Sequence, residues 1–409
     1  MSIETLTDTI LNQMPKVPKR RGIFFSHLMR LLLSLRGRFN FTNLARYGMF
    51  NEATYRSHFA KAFDYMTFNQ HLIASHCSGD RIIAFDPSYL PKSGKHTAGL
   101  GYFWSGCAQR VKKGLELAGF SCVDLTYWTG LHLYAQQTVL QAGESLMDFY
   151  IRFLEQQAKP LLKVSDILCV DAYFSKYEYV KAATGCGFTV VSRLRNDAIL
   201  RYLYRGSKTG QRGRPKTYDG VVDKHNLRAD VFEQFVTPEG SVAYHGVVYI
   251  KALKITARLV IIPQKDKKGR SKAPKLFFAT DPAMTGQEVL KRYKARFQCE
   301  FLYRDAKQYT GLTQGQCRSE EKLRFHLNAA LTAVSLAKAV HHLSGQDQTA
   351  EHPTAAAVAE TSFSMADVKT HYSNQFLLNR FIDAFGIDVQ QPDNYAKIKE
   401  LYQIGRIAA

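Results

Sequence analysis

The chain has 409 residues, 45% of them hydrophobic, with 55 Lys and Arg against 35 Asp and Glu and a formal net charge of +20. That apolar share excludes a disordered chain, and the length allows two or three domains with ample core. So large a positive charge points to a polyanionic partner, nucleic acid first, rather than to a generally solvated basic surface.

The seven cysteines (Cys77, Cys107, Cys122, Cys169, Cys186, Cys299 and Cys317) are scattered and include no Cys-x-x-Cys pair. This excludes a disulfide framework and a zinc ribbon and fits a reducing cytosol. The opening "MSIETLTDTILNQMPKVPKRRG" lacks the order of a signal peptide. The apolar run "FFSHLMRLLLSLRG" is too short to span a bilayer and is interrupted by His27 and Arg30. A cytoplasmic protein with no membrane partner is expected.

Residues 1–78 read as helical and basic. Thr42 is placed to cap a short helix through Ala45, Gly48 breaks it, and Asn51 caps a second helix through Phe63 that carries Arg56, His58 and Lys61. Helix, Gly-containing turn and basic helix fit a helix-turn-helix that binds DNA. The competing reading is a helical bundle that only packs.

From about residue 80 the texture changes to short apolar runs. "RIIAFD" ends in Asp86, a meander of aromatic and β-branched strands follows, and "ESLMDFYIRFLEQQAK" is an amphipathic helix. "DILCVD" ends in Asp171, "KYEYVKAATGCG" is a helix with a Gly stop, and "FTVVSRL" is another strand. Three strands, helix, strand, helix, strand suit one mixed α/β sheet with helices packed on it. Residues 196–281 interrupt the pattern with a basic Gly-rich loop and β-hairpins, a β-rich insertion. A long helix from about Thr285 to Tyr309 follows, then another over "EEKLRFHLNAALTAVSLAKAVHHL", a linker, and a helical tail. The expected domains are 1–78 (helical, DNA-binding), 79–195 with 282–344 (catalytic core), 196–281 (insertion) and 345–409 (helical C-terminal region).

Asp86 and Asp171 share a context, since each is the first acid after an apolar run that forms a strand. The C-terminal ends of such strands are where α/β sheets expose functional side chains, and two hard carboxylates there suit a divalent cation. Glu300 lies in "YKARFQCEFLYRDAKQ". At 100° per residue, Tyr293, Arg296, Glu300 and Lys307 fall within an arc of roughly 60° on one continuous helix. Arg304 lies on the same side, Asp305 points elsewhere, and Phe297 with Phe301 would anchor the helix to the core.

The spacing Tyr293-x2-Arg296-x3-Glu300-x6-Lys307 resembles the signature of DDE transposases of the insertion-sequence-four superfamily, with "AFDPSYLPKSGKHT" and "CVDAYFSK" similar to the strand-end segments that supply its first two carboxylates. The likeness covers roughly residues 80–310. It implies an RNase H-like core with a β-rich insertion, a catalytic and metal-binding triad of Asp86, Asp171 and Glu300, and two Mg²⁺ ions for which Mn²⁺ can substitute. It also implies double-stranded DNA as partner, both as terminal inverted repeats and as target, a homodimer that pairs two ends, and a nucleoid-associated place in a prokaryotic cytosol. Tyr293, Arg296, Lys307 and Arg304 would contact phosphates beside the scissile bond.

Weaker DNA-contact candidates are "RGRPK", with Arg212, Arg214 and Lys216 in an AT-hook pattern suited to a narrow minor groove, and Lys92, Lys95 and His96 of "KSGKHT". The latter departs from a P-loop, since Tyr89 stands where Gly is needed and His96 where Ser or Thr is. Related transposases that form DNA hairpins carry an aromatic wedge, a Trp in the insertion, that holds a flipped base; Trp104 and Trp128 lie before Asp171 and are expected in the core or on a sheet face, and nothing selects among Tyr218, Tyr244 and Tyr249 as a replacement. "HH" at 341 and 342 reads as surface. An RNase H-like nuclease or resolvase without strand transfer, or a transposase-derived DNA-binding protein, are the alternative functions.

Overall fold

The computed structural model describes residues 1–206, 215–266, 268–346, 363–389 and 391–406. It is of the expected mixed α/β class, and the chain forms two compact units. One comprises Met1–Gly79, Pro87–Val139 and Gln298–Ala409, the other Asp80–Asp86 and Leu140–Phe297. Strand β1 (Arg81–Pro91) is common to both, its first half in the second unit and its remainder in the first.

In the second unit β1 runs parallel to β5 (Ile167–Cys169) and β5 parallel to β6 (Thr189–Leu194). Parallel neighbours need crossovers, and helices α6 (Leu146–Leu162) and α7 (Tyr177–Gly185) lie in them. Ser145 caps α6 in a reciprocal pairing with Asp148, satisfying donors that its first turn would leave bare. Phe85 projects from β1 into a cluster of Tyr150, Phe153, Phe174 and Tyr179, all buried, with ring centroids 5.2–6.3 Å from its own. Each such buried aromatic contributes on the order of 2 kcal/mol of burial.

Strands β7 (Leu200–Leu203), β8 (Tyr218–Val221), β9 (Glu233–Val236), β10 (Val242–Ile250), β11 (Ile255–Lys265) and β12 (Ser271–Ala279) continue the sheet in the order β6-β12-β11-β10-β7-β8, with β9 on β10. β12 joins antiparallel to β6, Leu276 opposite Leu194 through Ala279 opposite Val191. The hairpins of 196–281 are thus built onto the same sheet as β5 and β6. Helix α8 (Gly286–Ala295), capped by Thr285 with Glu288, closes this unit.

The first unit holds α1 (Ile3–Asn12), α2 (Lys19–Ser34), α3 (Phe41–Tyr47), α4 (Glu52–Phe59) and α5 (Tyr65–His76), then β2 (Gly101–Ser105), β3 (Arg110–Asp124) and β4 (Thr129–Gln137). Its C-terminal part is α9 (Gln298–Tyr309), α10 (Glu320–Gln346), α11 (Met365–Phe385) and α12 (Pro392–Gln403). Four strands rather than three precede the first crossover helix, because Gly101–Ser105 forms a separate strand on β3. Asn40, not Thr42, caps α3, and the next helix ends at Phe59 rather than Phe63.

Helix α10 is buried nearly all round, with Ala329, Ala330, Leu331, Ala333 and Val334 at 0% exposure. It also carries a polar stripe at helical spacing, and each member serves β4. Asn328 accepts from Ala135 N–H and donates to Ala135 C=O, both at 2.9 Å. Ser335 accepts from His132 N–H at 2.8 Å, and Lys338 donates to Gly130 C=O at 3.0 Å. From α5, Asn69 donates to Leu133 C=O and Thr332 accepts from the same amide. Side chains thus take the place of a neighbouring strand along β4, whose buried backbone groups would otherwise lack partners.

Candidate active site

The register of β1 and β5 sets the two aspartates. Ala84 is opposite Cys169 in this parallel pair, and two residues further on Asp86 and Asp171 come abreast; Asp171 lies just past the end of β5, but Asp86 is not the strand end expected, because β1 runs on to Pro91. Side chains two apart share a face, and neighbouring strands lie about 5 Å apart, so both carboxylates emerge side by side on one face. The other face is taken by Phe85 and its aromatic cluster. Asp171 remains extended, and its Oδ1 accepts from Tyr173 N–H at 2.8 Å, capping a short 3₁₀ turn (Ala172–Phe174).

Helix α8 brings cations to these carboxylates. Arg296, the capping residue just after α8, places Nη1 3.5 Å from Asp86 Oδ1, with side-chain exposures of only 11% and 21%. Tyr293 stacks edge-on against Phe277 at 4.9 Å. Burial raises its hydroxyl pKa, opposed by Arg296, while the Asp171 charge adds to the rise. Arg292 and Arg296 lie near the thiol of Cys169, which burial pushes up to about 12. The second unit therefore gathers Asp86, Asp171, Tyr293 and Arg296, with Arg193 also in the electrostatic surroundings of Tyr293. Arg193 and Arg292 carried no sequence signal, because only the pairing of β6 and the placing of α8 bring them here.

The expected long helix is broken. α8 ends at Ala295 and α9 begins at Gln298, with Phe297 N–H tightened onto Lys294 C=O at 3.2 Å. The break lies where one compact unit gives way to the other. Tyr293 and Arg296 thus belong to one helix and Glu300 and Lys307 to another, so the single narrow face does not exist as counted. Phe297 is 48% exposed instead of anchoring the core, because it sits in the break.

On α9, Glu300 is half-buried in the first turn, and Lys307 Nζ donates to Ser88 Oγ at 2.8 Å. Arg304 lies over the Phe301 ring and pairs with the buried Asp305 at 2.9 Å. Burial lowers the Lys338 ammonium to about 8, and the Asp305 charge opposes that shift.

The donor set is the test of a metal here. Asp86 and Asp171 offer hard oxygens side by side and partly exposed, which suits a divalent cation. Among the described residues no group of three or more His, Cys, Asp or Glu is drawn together to hold one. The two carboxylates fit such an ion as a pair.

Arg212 and Arg214 lie outside the described residues. Lys216 is exposed, bound to Asp219 at 2.7 Å and set over the Tyr204 ring. Arg56 is held by Glu52 and lies over Phe41, while His58 turns inward to stack on Phe24 at 3.9 Å. Burial there lowers the His58 imidazole to about 4, so it is a packing residue. Lys92, Lys95, His96 and Arg56 line one cleft with Arg318 and Lys322. The last two carried no sequence signal and come from the α9–α10 loop and the first turn of α10. Trp104 projects from β2, 57% exposed, and Trp128 sits in the β3–β4 turn at φ 53°, 42% exposed, so neither is core. Tyr218 and Tyr249 pack on each other at 4.6 Å, Tyr244 is half-buried, and burial lowers His342 to about 4, so the His pair is not simply surface. No helix of the described residues is long and apolar enough to cross a membrane.

No protein-family model matches the chain. No curated protein matches it either. Among solved structures the chain is similar to the piggyBac transposase in its synaptic complex with hairpin DNA, determined by cryo-EM, at 10% sequence identity and a TM-score of 0.40, over 94% of this chain and 76% of that one.

Proposed function

We propose that the chain is a DNA transposase of the DDE type that binds the terminal inverted repeats of an insertion sequence, cuts them and joins them to a target. The observation that carries this reading is the pair of Asp86, within β1, and Asp171, just past β5, which the parallel register of the two strands brings abreast. The Tyr293-x2-Arg296-x3-Glu300-x6-Lys307 spacing and the net charge of +20 support it.

In this reading Asp86 and Asp171 hold Mg²⁺ or Mn²⁺, with Glu300 as the third ligand. The bound metal would supply Lewis-acid stabilisation of the attacking and leaving oxygens of a phosphodiester. Arg296 offsets the charge of Asp86 and exchanges that contact for a backbone phosphate when DNA arrives. Tyr293, a phenol already protonated at neutral pH and made harder to ionise by burial, donates a hydrogen bond to a phosphate. Lys307 grips a flanking phosphate from α9. Two copies would pair two ends.

A nuclease or resolvase would use the same carboxylates without joining. The distinguishing experiment incubates the purified chain with Mg²⁺, duplexes carrying the inverted repeats that flank its gene, and a supercoiled target plasmid. Transposition predicts end-specific cutting and covalent joining to the plasmid. Cutting of branched or hybrid substrates without joining would favour the nuclease.

A further inference from the structure

A cleft of about 880 Å³ opens within the first unit. Its walls carry Arg56 from α4, Lys92, Lys95 and His96 from the β1–β2 loop, Arg318 from the α9–α10 loop and Lys322 from α10. Among the described residues no Asp or Glu lines it. Glu52 compensates Arg56 from the preceding turn of α4, but Lys95, Arg318 and Lys322 take part in no salt bridge among the described residues. Gathering like charges costs folding free energy unless an anion offsets them.

The cleft is also built. Ala98 N–H donates to Arg318 C=O at 3.0 Å, Lys92 Nζ donates to Gly315 C=O, and Phe39 N–H donates to Gln314 Oε1 at 3.1 Å. These bonds tie the two loops together and to the α2–α3 segment, so the cations are held apart at fixed places. Burial lowers the Lys92 ammonium, a cost that a neighbouring anion would reverse. Small-molecule sites are mostly apolar with a few polar groups. This lining is the reverse, cationic and hydroxyl- or amide-bearing, as a run of phosphates requires.

We infer that this cleft seats successive backbone phosphates of duplex DNA, independently of sequence. The inference deepens the DNA-binding half of the proposed function and rests on it, but it concerns residues of the first unit only and no cutting step.

The test is fluorescence anisotropy of the full chain on a duplex of scrambled sequence, in EDTA, across a KCl series. Each phosphate contact adds about 0.9 to the slope of log affinity against log salt. The Arg318→Ala/Lys322→Ala variant is expected to lose about 2 from that slope, and Lys95→Ala, in the β1–β2 loop, about 1. Lys159→Ala/Lys163→Ala removes the same charge from α6 and the residue after it and is expected to leave the slope within about 0.5 of the parent. Thermal midpoints establish that each variant is folded, and Lys95→Ala, in an exposed loop, serves if the double variant is not. Equal slopes for the cleft variants and the parent, or an equal loss in the α6 control, would overturn the inference. So would a cleft that takes inorganic phosphate or a mononucleotide at micromolar concentration while duplex affinity ignores its cations. Cutting that survives with an unchanged slope rejects the cleft and leaves the transposase reading; a cleft-dependent slope in a chain that never cuts does the reverse.

Discussion

Asp171 uses one carboxylate oxygen to cap the turn that follows its strand. Asn caps as well as Asp, so Asp171→Asn separates the two roles: the fold keeps its cap and the site loses its charge. Its thermal midpoint is expected within about 2 °C of the parent, since a retained cap costs only tenths of a kcal/mol. Metal-dependent DNA cleavage is expected to fall by about a thousandfold or more, the scale of losing a group that acts only in the transition state. A variant that cuts normally would remove Asp171 from the site. Gly311 is a structural counterpart. It has φ 73°, and an added Cβ would lie 2.3 Å from the Phe39 ring. Gly311→Ala is expected to cost about 2 kcal/mol or more, from left-handed strain and overpacking together, read as a lowered denaturation midpoint. The aspartates were legible because each is the first acid after a short apolar run that forms a strand, although β1 runs on past Asp86 to Pro91. Arg296 as the partner of Asp86 was not, because 210 residues and a sheet pairing separate them.

At the scale of elements, α10 and β4 depend on polar groups that apolar periodicity hides. Asn328→Leu matches volume but strands both backbone groups of Ala135, and a loss of about 3 kcal/mol is expected by chemical denaturation. Since Ala135 N–H already donates to Asn328 Oδ1, the His132 ring nitrogen 2.9 Å away is the donor of a neutral imidazole. Burial pushes His132 and His326 down to about 4. A lowered histidine leaves stability intact above its unfolded pKa of about 6.5 and removes it as pH falls towards 4, by at most about 3 kcal/mol per ring. The first unit should therefore unfold more readily from pH 6.5 down to 4, and His132→Gln should flatten that dependence by up to one proton; an unaltered slope would contradict the buried neutral ring. The helices themselves were readable from capping residues and spacing. The break between α8 and α9 was not, because no Gly or Pro marks it. A count of faces carried across such a break groups residues that two different helices hold.

Over the whole molecule, the excess of Lys and Arg is the property that composition states most plainly, and its distribution is what only the fold supplies. One group of cations stands by the aspartates of the second unit, while another lines a cleft of the first. The mixed α/β class followed from the order of apolar runs; the joining of the β-rich block to β6 through β12 did not, because strand partners across 80 residues leave no local trace. The central claim is that Asp86 and Asp171 form a metal-dependent site for DNA cutting and joining. The measurement that tests it most directly is a Mg²⁺-dependent cleavage and strand-transfer assay on duplexes bearing the flanking inverted repeats, run with the parent chain, Asp86→Asn and Asp171→Asn. End-specific cutting and joining by the parent are expected, with a loss of about a thousandfold or more in each variant that still binds the ends. Cutting and joining by either variant at the parent's rate would contradict the central claim.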